Sequence, residues 1–392
     1  MNDAFVINAR RTPIVRAGKQ FSRLGAEKLL GKVLDTLLDD VAIAPDEVDH
    51  VFAGNAAGPG GNIARVAVLA SALPEGIGAT SLDAQCASGL EAIAAAARMI
   101  RCGEAEVVIA GGVESVSTAP WRMKKCTDPM EEPRLYSRAR FTPEPNPDPD
   151  MGVAAENIAR RFGIDRQRQD EFALRSHQRA LEARSRGDFD AELVPIATAD
   201  GLVNSDTCPR PGLSTRKLQA LKPAFAPGGS VTAGNSCPIN DGAAAVMLVS
   251  GKVLRRLNPG FALKYLASAS GGCDPEVLGM AAVPAYERLA RILGDSPAQA
   301  DSLIEFNEAF AVQALACLDE LGIEDHRVNR EGGALALGHP YGASGAVLTT
   351  RLFWQAHSAA LSGQRAVALM AAAGGTGSAI AFEITTASPV TG

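Results

Sequence analysis

The sequence predicts an α/β protein made of two related halves with a large insertion between them. Three observations carry this reading. Short apolar runs suited to buried strands alternate with longer Ala- and Leu-rich runs at helical spacing. A segment beginning at Pro45 resembles one beginning at Pro297, and the elements that follow each keep the same order. Between the two copies the composition turns to Pro and charged residues.

Taken along the chain, residues 5–8 and 51–53 read as strands. Residues 26–38 have helical periodicity, with Leu29, Leu30, Val33, Leu34 and Leu37 on one side. Residues 106–111 form a largely apolar run ending in glycines, the pattern of a strand buried on both faces. Residues 45–55 pair with 297–307 in the second half. Ser88-Gly89, a helix, a strand and Gly111-Gly112 are matched by Ser344-Gly345, a helix, a strand and Gly374-Gly375. Duplication of one βα unit explains the match; chance agreement of two Ala/Gly-rich stretches is the competing explanation. Duplication places Cys86 and the turn before Ser344 at equivalent helix mouths. Residues 120–238 form the insertion, with alternating prolines at 143, 145, 147 and 149 and a charged helix starting near an Asp165 cap. The expected units are therefore 1–119 with 239–260, carrying Cys86; the inserted loop domain 120–238; and 261–392, carrying Asn307 and His339. Inserted loops over a rigid α/β scaffold commonly bind ligand.

Composition narrows the function. The chain has 392 residues, 46% hydrophobic and 21% charged, which is an ordinary globular profile. A net charge of −6, with Lys and Arg dispersed, argues against a nucleic-acid partner. Seven Cys without a CxxC or a Cys–His ligand spacing suggest free thiols in a reducing compartment, and no metal site. The N-terminus has no signal-peptide pattern, the C-terminus no targeting tripeptide, and no apolar run is long enough to span a membrane. The expectation is a cytoplasmic protein.

Cys86 stands directly before an Ala-rich stretch, at a helix mouth, where free N–H groups and the dipole favour a thiolate. It is either a nucleophile or a buried structural Cys. His339 lies in a glycine-rich loop, Gly332-Gly333-Ala334-Leu335-Ala336-Leu337-Gly338-His339-Pro340-Tyr341-Gly342. A Cys–His pair supplies a nucleophile and its base. By itself a His before Pro is a turn residue; the repeat points it towards Cys86. Asn307 follows an apolar strand at 303–306, where α/β proteins place sites. It serves as an oxyanion donor or as a helix N-cap.

With these segments in view, the chain resembles the thiolase family. The supporting blocks run in family order: Gln85-Cys86-Ala87-Ser88-Gly89, Gly111-Gly112-Val113-Glu114-Ser115, Met151-Gly152 with Ala155-Glu156-Asn157, Val231-Thr232-Ala233-Gly234-Asn235, Asn240-Asp241-Gly242-Ala243-Ala244, Asn307-Glu308-Ala309-Phe310 and Gly338-His339-Pro340. The resemblance implies a duplicated α-β-α-β-α layered fold with an inserted loop domain that holds coenzyme A. It implies an acyl-CoA acyltransferase in which Cys86 carries the acyl group and His339 takes the thiol proton. Asn307, through a water, and His339 would stabilise one thioester oxygen; the backbone N–H groups of Cys86 and Ala373 would hold the other. Arg210, Phe225, Ala233, Cys237, Met151, Ala309 and Phe310 fall at coenzyme-binding positions. Coenzyme A thioesters enter as substrates, with no cofactor, and the assembly implied is a homodimer or homotetramer.

The chain departs from the family at the group that moves the α-carbon proton. The family's second Cys falls at Ala371, in Ala371-Ala372-Ala373-Gly374-Gly375-Thr376-Gly377. Alanine cannot titrate, and general acid–base groups contribute about 10²–10⁴-fold. Cys237 stands where the family usually has Ser, and is either a substitute thiol or a plain pocket wall. Asp150 stands where many relatives carry His. Three readings follow: a thiolase whose proton carrier lies elsewhere, a thiolase-like acyltransferase or thioesterase without carbon–carbon chemistry, or a non-catalytic acyl-CoA-binding subunit. An intact Cys86, Asn307 and His339 argues against the last.

Overall fold

In the computed structural model, residues 2–126, 128, 130–359 and 361–386 are described. Ten strands join in one sheet. Along its main path the order is Gly78–Leu82, His50–Gly54, Val107–Glu114, Asn240–Ser250, Ala4–Arg11, Phe261–Gly272, Thr376–Thr386, Arg365–Ala372 and Leu303–Phe306. The short strand Val15–Arg16 pairs beside Asn240–Ser250. The two halves meet where Ala4–Arg11 runs antiparallel to Phe261–Gly272 through only Phe5 and Val6. Outward from that seam the strands follow the same sequence in each half. Strand 240–250 corresponds to 376–386, 107–114 to 365–372, and 50–54 to 303–306. The internal repeat expected from sequence is thus the organising symmetry of the sheet.

Three cores separate the layers. The helices Ala26–Asp39 and Ile63–Leu69 bury Leu29, Leu34, Ala64 and Val68 against Val51, Ile109 and Met247. The helices Ala282–Leu293 and Ala311–Leu321 bury Leu289, Val312 and Leu315 against Ala269, Phe306, Val367 and Leu369. Between them the repeat-related helices Ser88–Cys102 and Ser344–Ala359 share one core with strands of both halves, through Leu90, Ile93, Leu352, Val6, Ile380 and Phe382. Strands 107–114 and 240–250 are buried at every residue, in keeping with the largely apolar run at 106–111.

Glycine lets the two halves touch at the site. A Cβ at Gly89 would lie 2.7 Å from the Gly342 carbonyl oxygen, and one at Gly112 only 2.1 Å from it. These backbones approach as closely as only glycine permits.

Within the segment 120–238 lie the hairpin Arg122–Met123/Leu135–Tyr136, the helices Met151–Phe162 and Arg166–Arg186, the hairpin Ile196–Thr198/Gly201–Val203 and the short helix Thr215–Gln219. Asp165 caps Arg166–Arg186 by accepting from Arg168 N at 2.8 Å. Buried ion pairs tie this segment to both halves. Arg11 pairs with Glu192 at 2.6 Å and Asp206 at 2.7 Å, and Arg351 pairs with Glu192 at 2.6 Å and also with Glu331.

Candidate active site

Cys86 sits on a strained turn. Gln85 holds φ +55°, a left-handed conformation uncommon for a residue with a side chain. Asp83 Oδ1 accepts the Gln85 N–H at 2.8 Å, and Ser88 Oγ accepts the Ala84 N–H at 2.9 Å. The helix begins at Ser88, so the expected helix mouth is present. Burial dominates and pushes Cys86 up to about 12, with Glu114 and Asp83 adding to the rise. The backbone N–H groups of Ala373 and Cys86 face the sulfur and oppose that rise, favouring the anion. The resting form is a neutral thiol that needs a base.

His339 is that base's candidate. Its backbone is fixed by a His339 N–H donated to Asn240 Oδ1 at 2.9 Å and by a parallel bridge between Ile239 and His339. Nδ1 lies 2.6 Å from the Ser344 hydroxyl, while Nε2 is buried without a hydrogen-bond partner. Burial lowers the imidazole to about 4, so it is neutral at physiological pH. With Nδ1–H donated to Ser344, Nε2 offers a free lone pair.

Cys86 and His339 line one cavity of about 320 Å³. The size and the apolar wall suit a thioester and the arm that carries it. Of the coenzyme-binding positions, Met151, Phe225, Cys237, Ala309 and Phe310 line this cavity, and so do Ala371 and Ala373. Phe225 and Phe310 pack edge to face at 5.9 Å. Arg210 and Ala233 do not line it. Arg210 is half-buried; its backbone N–H donates to His177 Nδ1 at 3.2 Å and its Nη1 reaches the Ala233 carbonyl at 3.5 Å. Asp150 pairs with Arg138 at 3.1 Å.

Asn307 also lies off the main cavity. It is buried, its Nδ2 has no partner, and it lines a small space of about 20 Å³ with Gly338 and Ser344. That volume holds about one water. Asn307 and His339 thus line different cavities, with Ser344 lining that of Asn307 and hydrogen-bonded to His339.

Sequence reasoning gave no role to two residues that the fold brings in. Glu114 is fully buried and joins both halves. Its carboxylate accepts from Asn55 Nδ2 at 2.9 Å, Ala56 N at 3.0 Å, Ala57 N at 3.1 Å and Gly342 N at 3.0 Å. Burial outweighs these bonds and raises it to about 7. Tyr341 lines the cavity with its ring edge-on to His339, centroids 5.4 Å apart. An acidic residue ending an apolar strand, and an aromatic two positions after the His, were the available signals.

Among the described residues no group of three or more His, Cys, Asp or Glu is placed to hold a metal ion. No helix among them is long and apolar enough to cross a membrane.

The family model described as thiolase, N-terminal domain matches residues 4–252, and thiolase, C-terminal domain matches residues 261–384. A Staphylococcus haemolyticus protein provisionally named acetyl-CoA C-acetyltransferase VraB is 39% identical over 389 residues, covering 98% of this chain and 99% of its own. Its Staphylococcus aureus (strain MRSA252) counterpart is 38% identical over 384 residues, covering 97% and 99%. The crystal structure of the Bacillus anthracis acetyl-CoA acetyltransferase superimposes with a TM-score of 0.90 at 33% identity, covering 98% of this chain and 99% of that one.

Proposed function

The chain belongs to the thiolase family, and from that premise we propose that it is an acyl-CoA acyltransferase working through an acyl-Cys86 intermediate. The observation that carries this reading is the convergence of Cys86, His339 and the Ala373 N–H on one apolar cavity. His339 Nε2 takes the Cys86 proton as sulfur attacks the thioester or ketone carbonyl. The charge developing on oxygen meets the N–H groups of Cys86 and Ala373, donors of a kind worth about 3–4 kcal/mol of barrier each. Asn307 supports the second oxyanion through a water. Phe225, Phe310 and Met151 enclose the pantetheine arm, and Arg210 and Ala233 bind nearer the adenine end.

The full reaction is ping-pong transfer between acyl-Cys86 and coenzyme A, with Claisen condensation or thiolytic cleavage of a 3-ketoacyl-CoA. By family likeness the protein works as a homodimer or homotetramer. A second reading rests on Ala371, which presents only a methyl to the cavity. In it the enzyme transfers or hydrolyses acyl groups without carbon–carbon chemistry.

Exchange of labelled coenzyme A into acetyl-CoA, with acetoacetyl-CoA cleavage assayed in the same sample, separates the two. Exchange and cleavage together support the thiolase reaction. Exchange alone leaves the acyltransferase and removes the carbon–carbon step. No exchange contradicts both.

A further inference from the structure

Carbon–carbon chemistry needs a group that gives and takes a proton at the α-carbon, and Ala371 supplies none. Among the described residues lining the cavity, only Cys86, His339, Cys237 and Tyr341 carry titratable side chains. The Ser236 hydroxyl is committed to the Thr232 carbonyl at 2.7 Å. Cys86 bears the acyl group and His339 holds the proton taken from it. Cys237 and Tyr341 remain.

We propose that Cys237 is the acid–base group that carries the α-carbon proton in this enzyme. The proposal rests on the acyl-Cys86 reading above and deepens it. Cys237 is held at the centre of the site by backbone: its N–H donates to the Ala309 carbonyl at 3.0 Å, its neighbour Ser236 bridges Phe310, and Ile239 bridges His339. It is thereby clamped between the Asn307–Phe310 turn and the His339 loop. Its side chain keeps surface on the cavity that Cys86, His339 and Tyr341 also line. Tyr341 packs its ring edge-on against the imidazole of His339, and among the described residues no comparable backbone clamp ties it to the Asn307–Phe310 turn, which favours Cys237.

The cleavage direction balances as follows. Cys86 Sγ loses its proton to His339 Nε2 and bonds to C3 of the 3-ketoacyl-CoA. The C2–C3 bond breaks, and its electron pair passes to C2 as the enolate of acetyl-CoA. Cys237 Sγ–H protonates C2 and becomes a thiolate. The incoming coenzyme A thiol gives its proton to that thiolate, and its sulfur attacks the acyl-Cys86 carbonyl. Cys86 leaves and recovers its proton from His339. Burial and the nearby Cys86 raise the Cys237 thiol above its ordinary value, which keeps it protonated for the step in which it acts as acid.

The test is deuterium entry into the methyl group of acetyl-CoA in D₂O, read beside acetylation of Cys86 by mass. The ratio of exchange to acetylation isolates α-proton transfer from formation of the acyl-enzyme. The full-length chain is compared with Cys237→Ser and Cys237→Ala. The expected result is a ratio lower by about 100-fold or more in both variants. Two variants guard against a local misfold in one. A ratio within about threefold of the unmutated chain overturns the proposal, as does acetylation of the unmutated chain with no exchange at all. Loss of the ratio in Tyr341→Phe, with Cys237→Ser exchanging, assigns the proton to Tyr341 and also overturns it. Absence of Cys86 acetylation in the unmutated chain is a different failure, that of the acyl-enzyme reading.

Discussion

His339 Nδ1 lies 2.6 Å from the Ser344 hydroxyl, and both residues are buried. Ser344 opens the second-half helix that corresponds to the Ser88–Cys102 helix beside Cys86. The duplication thus sets a nucleophile at one helix mouth and, at the other, the residue that orients its base. Removing the hydroxyl in Ser344→Ala frees the ring to turn and leaves the Nδ1 proton unpaired. An orienting bond of this kind contributes about 1 kcal/mol, with a further desolvation cost when its partner is orphaned. The acylation rate should fall about tenfold, measured as burst-phase acetylation, while the folded state persists by circular dichroism.

The pH dependence of Cys86 is set by burial. The thiol is raised to about 12 and His339 lowered to about 4, so neither ionises alone between those limits. Alkylation of Cys86 by iodoacetamide in the ligand-free enzyme should climb with pH through the neutral range without a plateau. A plateau near neutral pH would mean a preformed thiolate–imidazolium pair instead.

Glu114 and Glu305 are raised to about 7 by burial from an ordinary 4.5. The folded chain then holds protons that the unfolded chain has released between those values. Stability from these two groups falls as pH rises through that window. His339 and His177, lowered to about 4 from 6.5, act in the opposite sense, and their contribution is lost as pH falls towards 4. Glu114→Gln should flatten the decline between about pH 4.5 and 7, read as urea midpoints across pH. It should also lower acylation, because an amide NH₂ would face N–H groups of Ala56, Ala57 or Gly342 that the carboxylate now satisfies.

Arg351 is buried between Glu192 and Glu331, and Glu192 is shared with Arg11. Arg351→Met strands carboxylate charge in the interior. Breaking a buried pair from one side costs about 3–5 kcal/mol. A lowered thermal midpoint is expected, with the loss reduced when Glu331→Gln is added. An unchanged midpoint would show that the cluster does not hold the inserted segment to the two halves.

The legible parts of this chain were those with a strong local signal. The helix at 26–38, the strand at 303–306, the Asp165 cap and the order of the two repeats all follow from spacing and capping chemistry, and the structure carries them at Ala26–Asp39, Leu303–Phe306 and Arg166–Arg186. Cys86, His339 and Phe310 stand in motif blocks, Cys237 stands out as a departure just after one, and one cavity gathers all four. What did not show in sequence depends on distant elements meeting. The Glu114 carboxylate finds Gly342 only when the halves pack. The helix mouth at Cys86 suggested a thiolate, but the burial that outweighs it comes from the whole fold. Family likeness gives Asn307 a water-mediated role; the small space it lines forms only where the His339 loop meets strand 303–306 and helix 344–359.

The central claim is that Cys86 becomes acylated with His339 as its base. The most direct measurement is the intact mass of the full chain after brief incubation with acetyl-CoA, with the modified residue located by peptide mapping. The account predicts one acetyl group on Cys86, none in Cys86→Ser, and acetylation slowed about 10²–10⁴-fold in His339→Ala. An unmodified Cys86, or acetylation at the same rate in His339→Ala, would contradict it.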